Sequence, residues 1–183
     1  MPTIGHVAAG LAGWRLSGRV HRPVRPALVY TALATFQDLD LFLPHAWGGG
    51  WVHRGALHSP AVALVAAAIG LLLLWDQGNR TKVFLLAFAT AASHGLLDTL
   101  TLGGAGVMLL WPLSLARFES PWEPLPPSPF SARHGSPRFL LRLAYEALFF
   151  APLFLWALWP RRWSRGRTNS TNSAAPTPAR PDP

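Results

Sequence analysis

The stretch VFLLAFATAASHGLLDTL, Val83 to Leu100, meets no charged residue until Asp98, and His94 stands four positions before that acid. It is long enough to cross a bilayer, which takes about 17–25 apolar residues. A histidine and a carboxylate one helical turn apart lie on one face. An apolar helix carrying two ligand-type side chains at one end predicts a membrane bundle with a polar site at that end.

Three further stretches have the same character: Pro26–Leu43, Pro60–Trp75 and Phe139–Trp159. The second is short and would have to thin the bilayer or lean on its neighbours. Ile4–Leu16 reads as a short N-terminal helix inserted part of the way. GVMLLWPLSL, residues 106–115, is short and contains Pro112, and reads as re-entrant or interfacial. The expected fold is therefore an all-α polytopic membrane helix bundle of about four main spans. Residues 1–163 form the embedded domain. Residues 164–183, rich in Ser, Thr, Pro and Arg, are expected to be a disordered tail.

Composition agrees. The 183 residues are 50% hydrophobic and 13% charged, with nine tryptophans, against roughly 25% charged in an ordinary soluble domain. Mean hydropathy is +0.24. MPTIGH leads directly into the first apolar stretch without a basic region, so no cleaved signal peptide is expected. The net charge of +8 invites a nucleic-acid partner, but the basic residues fall at segment ends rather than on one amphipathic face, and that partner is rejected. Membrane topology accounts for them. Arg15, Arg19, Arg22, Arg25, Arg80, Lys82, Arg161, Arg162, Arg165, Arg167 and Arg180 fall on one side. Arg54, Arg117, Arg133 and Arg138 fall on the other, with Arg142 just inside the last helix. The richer side should be cytoplasmic, which gives a multi-pass membrane protein with its C-terminus in the cytoplasm.

Of eight acidic residues, Asp38, Asp40, Asp98 and Glu146 sit within apolar segments, where an ionised carboxylate costs about 3 kcal/mol unless paired. Asp38, Asp40, His94 and Asp98 all lie at the non-cytoplasmic ends of their segments. His53 and His58 occupy the loop on that side, and His6 begins the first segment nearby. Singly, each has a plainer account. A helix histidine packs or hydrogen-bonds, the DLD acids pair with Arg54 and Arg142, and loop histidines line an interface. His21, His45 and His134 are assigned that way. Convergence of the others on one membrane face favours a metal site. Without cysteine, that site must use His, Asp or Glu. Asp38 and Asp40 lie about 200° apart on an ideal helix and should divide the work, one as ligand and the other as base or histidine partner. This many N/O donors would suit one or two divalent ions, zinc first and manganese or iron as alternatives. A pair about 3.5–4 Å apart fits phosphoester hydrolysis.

The motifs MPTIGH, DLD (38–40), HRGALHS (53–59), HGLLDTLTLGGAGVMLLWP (94–112) and PWEPLPPSP (121–129), in this order, resemble the YdjM-like family of bacterial membrane-bound proteins. That family is classed as predicted metal-dependent hydrolases, and the resemblance implies the bacterial inner membrane as the location. The resemblance covers about residues 1–160 and implies His6, Asp38, His53, His58, His94 and Asp98 as the metal-site residues, with Asp40, Arg54 and Thr101 close by. The family's pattern often has proline where this chain has Gln37, and a small polar residue where it has Leu57; neither departure removes a ligand.

The expected function is a metal-dependent hydrolase of a phosphoester or lipid-linked substrate reached from the outer leaflet, with membrane lipids as surroundings. Asp40, Arg54 and Glu146 are the expected catalytic residues. Arg54 would meet a substrate phosphate, and Glu146 would be a further ligand or proton shuttle. The alternatives are a metal-ion or proton transporter and a non-catalytic metal-binding membrane protein.

Overall fold

The computed structural model describes residues 3–18, 24–42, 52–128 and 135–160. Five α-helices dominate: α1 (Thr3–Ser17), α2 (Val24–Thr35), α3 (Pro60–Leu73), α4 (Arg80–Thr99) and α5 (Pro137–Leu158). Among the described residues, bridge pairing is limited to two isolated bridges, Thr101 with Leu125 and Val107 with Phe118.

Local chemistry sets the helix starts. Ser59 accepts from the Val62 amide at 3.3 Å with Pro60 following, and Asn79 accepts from the Lys82 amide at 3.0 Å. Ser136 accepts from the Phe139 amide at 3.2 Å with Pro137 following. Each cap satisfies an amide that the first turn leaves without a partner, and proline suits the first helical position because its missing N–H is not needed there.

Helix α4 is central. It packs against α1, α2 and α3, while α1 also packs against α2 and α5. The main core joins Tyr30 and Leu33 of α2, Ala63 and Ala67 of α3, and Val83, Ala87 and Ala91 of α4. Alanine at the contacts lets the helices approach closely, a device common where apolar helices must pack without the help of water.

The segment expected as one helix over Pro26–Leu43 is two elements. α2 stops at Thr35, and a 3-10 helix follows over Phe36–Phe42. At the junction Thr35 Oγ1 donates back to the Thr31 carbonyl at 2.9 Å, a bond that bends helices. Gln37 Nε2 then reaches across to the Ala91 carbonyl of α4 at 2.6 Å, pinning the DLD segment to the central helix.

The two ends of the bundle differ. At one end Arg15 donates to the carbonyls of Ala157 and Trp159, at 3.3 and 2.7 Å, and Arg25 pairs with Asp76 at 3.0 Å. Arg80 and Lys82 begin α4 at that same end. The opposite end gathers the N-terminus of α1, the 3-10 helix, residues 52–59, the C-terminus of α4 and the 100–128 connection.

Among the described residues, α5 is the helix both long and apolar enough to cross a membrane; α3 is apolar but shorter. α1 and α2, at 15 and 12 residues, are also short, and α4 has the length but carries Arg80, Lys82 and Asp98. The expected tail at 164–183, with His21, His45 and His134, lies outside the described residues, as do Arg19, Arg22, Arg133 and the arginines from 161 onward.

Candidate metal centre

Three elements deliver four ligand residues to one point. Asp38 comes from the 3-10 helix after α2, His58 from the short 3-10 turn Ala56–His58, and His94 and Asp98 from α4. One ligand atom from each of these four residues lies within 4.8 Å of the other three. His58, His94 and Asp98 are buried, whereas the Asp38 side chain is 21% exposed.

The protonation of His94 follows from its neighbours. Its Nδ1 lies 2.6 Å from the Ala34 carbonyl oxygen, which can only accept, so Nδ1 carries the proton. In a neutral imidazole Nε2 is then a bare lone pair. That nitrogen lies 3.1 Å from Asp38 Oδ1, another acceptor. Two acceptors at this distance need a proton on one of them or an ion between them.

His58 repeats the pattern on both sides of its ring. Nε2 lies 3.4 Å from Asp98 Oδ2 and 3.9 Å from Asp38 Oδ1, while Nδ1 lies 3.2 Å from Asp40 Oδ2. None of these approaches forms a hydrogen bond, and both His58 nitrogens and both Asp98 oxygens are buried without one. Burial opposes a charge on His58, but the Asp40 and Asp98 carboxylates outweigh it and raise its pKa to about 9. Buried polar atoms rarely stand without partners, and an ion is one of the explanations that suits such a cluster.

His6 adds a third imidazole. Its ring stacks on His94 with centroids 3.6 Å apart, and its Nε2 lies 3.4 Å from Asp98 Oδ1. Both its nitrogens are buried without a hydrogen bond. His53 and Asp40 form a second cluster with His58. His53 Nδ1 meets Asp40 Oδ1 at 2.8 Å, and Asp40 Oδ2 also accepts from the Arg54 amide at 3.0 Å. Asp38 and Asp40 therefore approach opposite nitrogens of His58, and each has a second histidine of its own, His94 and His53. The two clusters share one imidazole ring and lie on its two sides, which differs from the expected close pair of ions.

Arg54 is tethered throughout. Its backbone is left-handed, with φ 61°. Its amide serves Asp40, its carbonyl accepts from Met108 N at 3.0 Å, and its Nε lies 3.3 Å from Asp98 Oδ2. The guanidinium occupies the space that a side chain at 104 would need, because a Cβ on Gly104 would fall 1.5 Å from an Arg54 nitrogen. The sequence left Asp38, Asp40 and Arg142 as partners for acid–arginine pairs; the structure pairs Arg54 with Asp98.

Glu146 stands apart from both clusters. Its Oε1 accepts from the Gly5 amide at 3.1 Å, so it holds the first turn of the helix that carries His6. The structure thus places it as a helix-end acceptor rather than among the donor atoms, where its sequence position suggested a ligand. Thr101, also buried, donates to the Leu97 carbonyl at 3.3 Å.

Several contributors carried no sequence signal. The Ala34 carbonyl that fixes His94 could belong to any residue. Gly95 lets the 52–59 segment close onto α4, since a Cβ there would lie 2.3 Å from the His58 carbonyl oxygen. A glycine inside an apolar helix beside a histidine hints at close backbone approach, but not at what approaches.

Formal charge supports one divalent ion. Asp38, Asp40 and Asp98 oppose a single guanidinium, leaving two negative charges when the histidines are neutral. Imidazole and carboxylate donors without thiolate suit zinc, manganese or iron.

The comparisons with known proteins agree with this arrangement of motifs. The model of the YdjM inner membrane protein family matches residues 1–168. The Escherichia coli (strain K12) inner membrane protein YbcI is 33% identical over 147 residues, covering 75% of this chain and 83% of that protein. No solved structure matches. With its motifs in order from His6 to the 121–129 segment, the chain belongs to the YdjM inner membrane protein family.

Proposed function

We propose that this protein is a membrane-bound metal-dependent hydrolase acting on a phosphoester, with Asp38, His58, His94 and Asp98 as its metal ligands. The observation that supports this most is the pair His94 Nε2 and Asp38 Oδ1, two acceptors 3.1 Å apart beside a ring of buried atoms lacking hydrogen bonds. A divalent ion, when bound, supplies Lewis acidity and lowers the pKa of water toward neutrality.

The chain's own groups take the remaining roles. Asp40 holds His58 from the Nδ1 side, the carboxylate–histidine arrangement that fixes a ligand ring. His53, with its side chain 31% exposed and anchored to Asp40 at 2.8 Å, is the group best placed to move a proton between the centre and solvent. Arg54 balances Asp98 and presents positive charge to a substrate phosphate. His6 backs His94 and Asp98 as a further ligand or a support. Glu146 keeps His6 in register through α1.

In the bilayer, α2 with its 3-10 extension, α3, α4 and α5 are the spans, with α1 inserted part of the way. The basic end faces the cytoplasm and the centre faces the opposite side. A transport pathway finds less support, since the core away from the centre is largely alanine, leucine and valine. Metal analysis of detergent-purified protein, followed by a screen of phosphodiesters and lipid phosphates against wild type and Asp98→Ala, tests the proposal. Metal-free wild type after growth in supplemented medium, or hydrolysis equal in the two proteins, would sink it.

A further inference from the structure

Helices α2 and α3 meet only lightly along their length, and between them runs a groove of about 380 Å³. Leu28 and Ala32 line it from α2, Phe36 from the start of the 3-10 helix, and Ala66, Ile69 and Leu73 from α3. Its wall is entirely apolar, and a volume of this size lies within the range of small-molecule sites. Arg25 closes the basic end, reaching Asp76 and the Leu73 carbonyl. The other end finishes at Phe36.

Phe36 stands two residues before Asp38, about 4 Å along a 3-10 axis. Asp38 is also the one member of the four-residue cluster that is partly exposed, and it lies just beyond the Phe36 end of the groove in sequence. From Leu28 to Phe36 the groove is about 12 Å long, within the depth of one leaflet, roughly half of a 30 Å hydrocarbon core. In an inner membrane protein such a slot opens onto lipid. We infer that the groove seats one acyl chain of a membrane lipid and presents that lipid's phosphate head group to Asp38.

The inference rests on the hydrolase proposal only for the fate of the head group; occupancy of the groove is measured separately. The full chain is reconstituted in vesicles of phosphatidylethanolamine and phosphatidylglycerol containing a phosphatidylglycerol with a photoreactive acyl chain. Adducts are mapped after irradiation. Residues 28–36 and 66–73 should be labelled at least threefold more than the exposed α5 positions Leu141, Leu148 and Leu155. Ala32→Phe, which fills the slot, should cut groove adducts at least fivefold while leaving α5 adducts and bound metal unchanged. Ala32→Gln, smaller but polar, should reduce them as well. Equal labelling of groove and α5, or groove labelling indifferent to both variants, overturns the inference whatever the enzyme does. Groove adducts that respond to the variants sustain it, even where no phosphoester is hydrolysed and the hydrolase proposal falls.

Discussion

Arg54 Nε lies 3.3 Å from Asp98 Oδ2, the same oxygen that His58 Nε2 approaches at 3.4 Å. The guanidinium and a bound cation would thus share one carboxylate. In metal-free protein, Arg54 supplies part of the positive charge that the buried acids need. Arg54→Met should destabilise the metal-free form by about 3 kcal/mol, the lower end for breaking a buried ion pair, because His6 and His58 still face Asp98. Added metal should recover more stability in the variant than in wild type. Thermal unfolding in detergent with and without metal checks this; an equal shift in both proteins would separate Arg54 from the centre.

His94→Ala and Asp98→Ala should each lower bound metal at least tenfold, whereas Asp76→Ala should not. Asp76 is also an aspartate but lies exposed at the far end, paired with Arg25. Elemental analysis of the three purified variants decides the matter. Similar metal content in all three would return His94 and Asp98 to ordinary packed residues.

The helical bundle was legible because Val83–Leu100 and its fellows are long apolar runs, and the site was legible because acids in such runs are costly. What escaped were relationships between backbones. Nothing in the sequence announces that α2 tightens at Phe36, since the bend depends on Thr35 and on Gln37 reaching α4. Glu146 shows a related gap: an acid in an apolar helix has to be satisfied by something, and only the fold shows that a helix-end amide, Gly5, meets one of its oxygens. For Arg54 the sequence offers a substrate phosphate or, more plainly, a DLD acid as partner; it does not show that a left-handed backbone turns its amide to Asp40 and its side chain to Asp98.

Gly95→Ala tests the closeness of the loop to α4. The added methyl would lie 2.3 Å from the His58 carbonyl oxygen, a backbone atom that cannot swing aside. Overpacking of this kind costs about 1–3 kcal/mol, and here the displaced residue is a proposed ligand. Both melting temperature and metal content should fall. A variant that keeps its metal would show that His58 is not needed to hold it.

The orientation of the bundle is open to reporter fusions. Fusions after Trp51 and after Ser164 should report opposite sides of the membrane, the second cytoplasmic, because Arg15, Arg25, Arg80 and Lys82 share the end from which the chain leaves α5. A cytoplasmic signal from the first fusion would reverse the bundle and move the substrate to the inner leaflet.

Asp40 and His53 separate metal holding from chemistry. Asp40 meets His53 Nδ1 through Oδ1, while its Oδ2 lies against His58 Nδ1 and accepts from the Arg54 amide. Asp40→Asn keeps the shape but loses the charge that orients His58, and such a change behind a ligand typically weakens metal binding 10–100-fold. His53→Gln leaves Asp40 and the four-residue cluster intact, so metal content should stay near wild type. Its turnover should nonetheless drop about 10²-fold or more, the usual contribution of a proton-transfer group. Raising the metal concentration should restore activity to Asp40→Asn and not to His53→Gln. Rescue of both variants by metal would make His53 a ligand after all, and would leave the proton to be carried by Asp38 or by water.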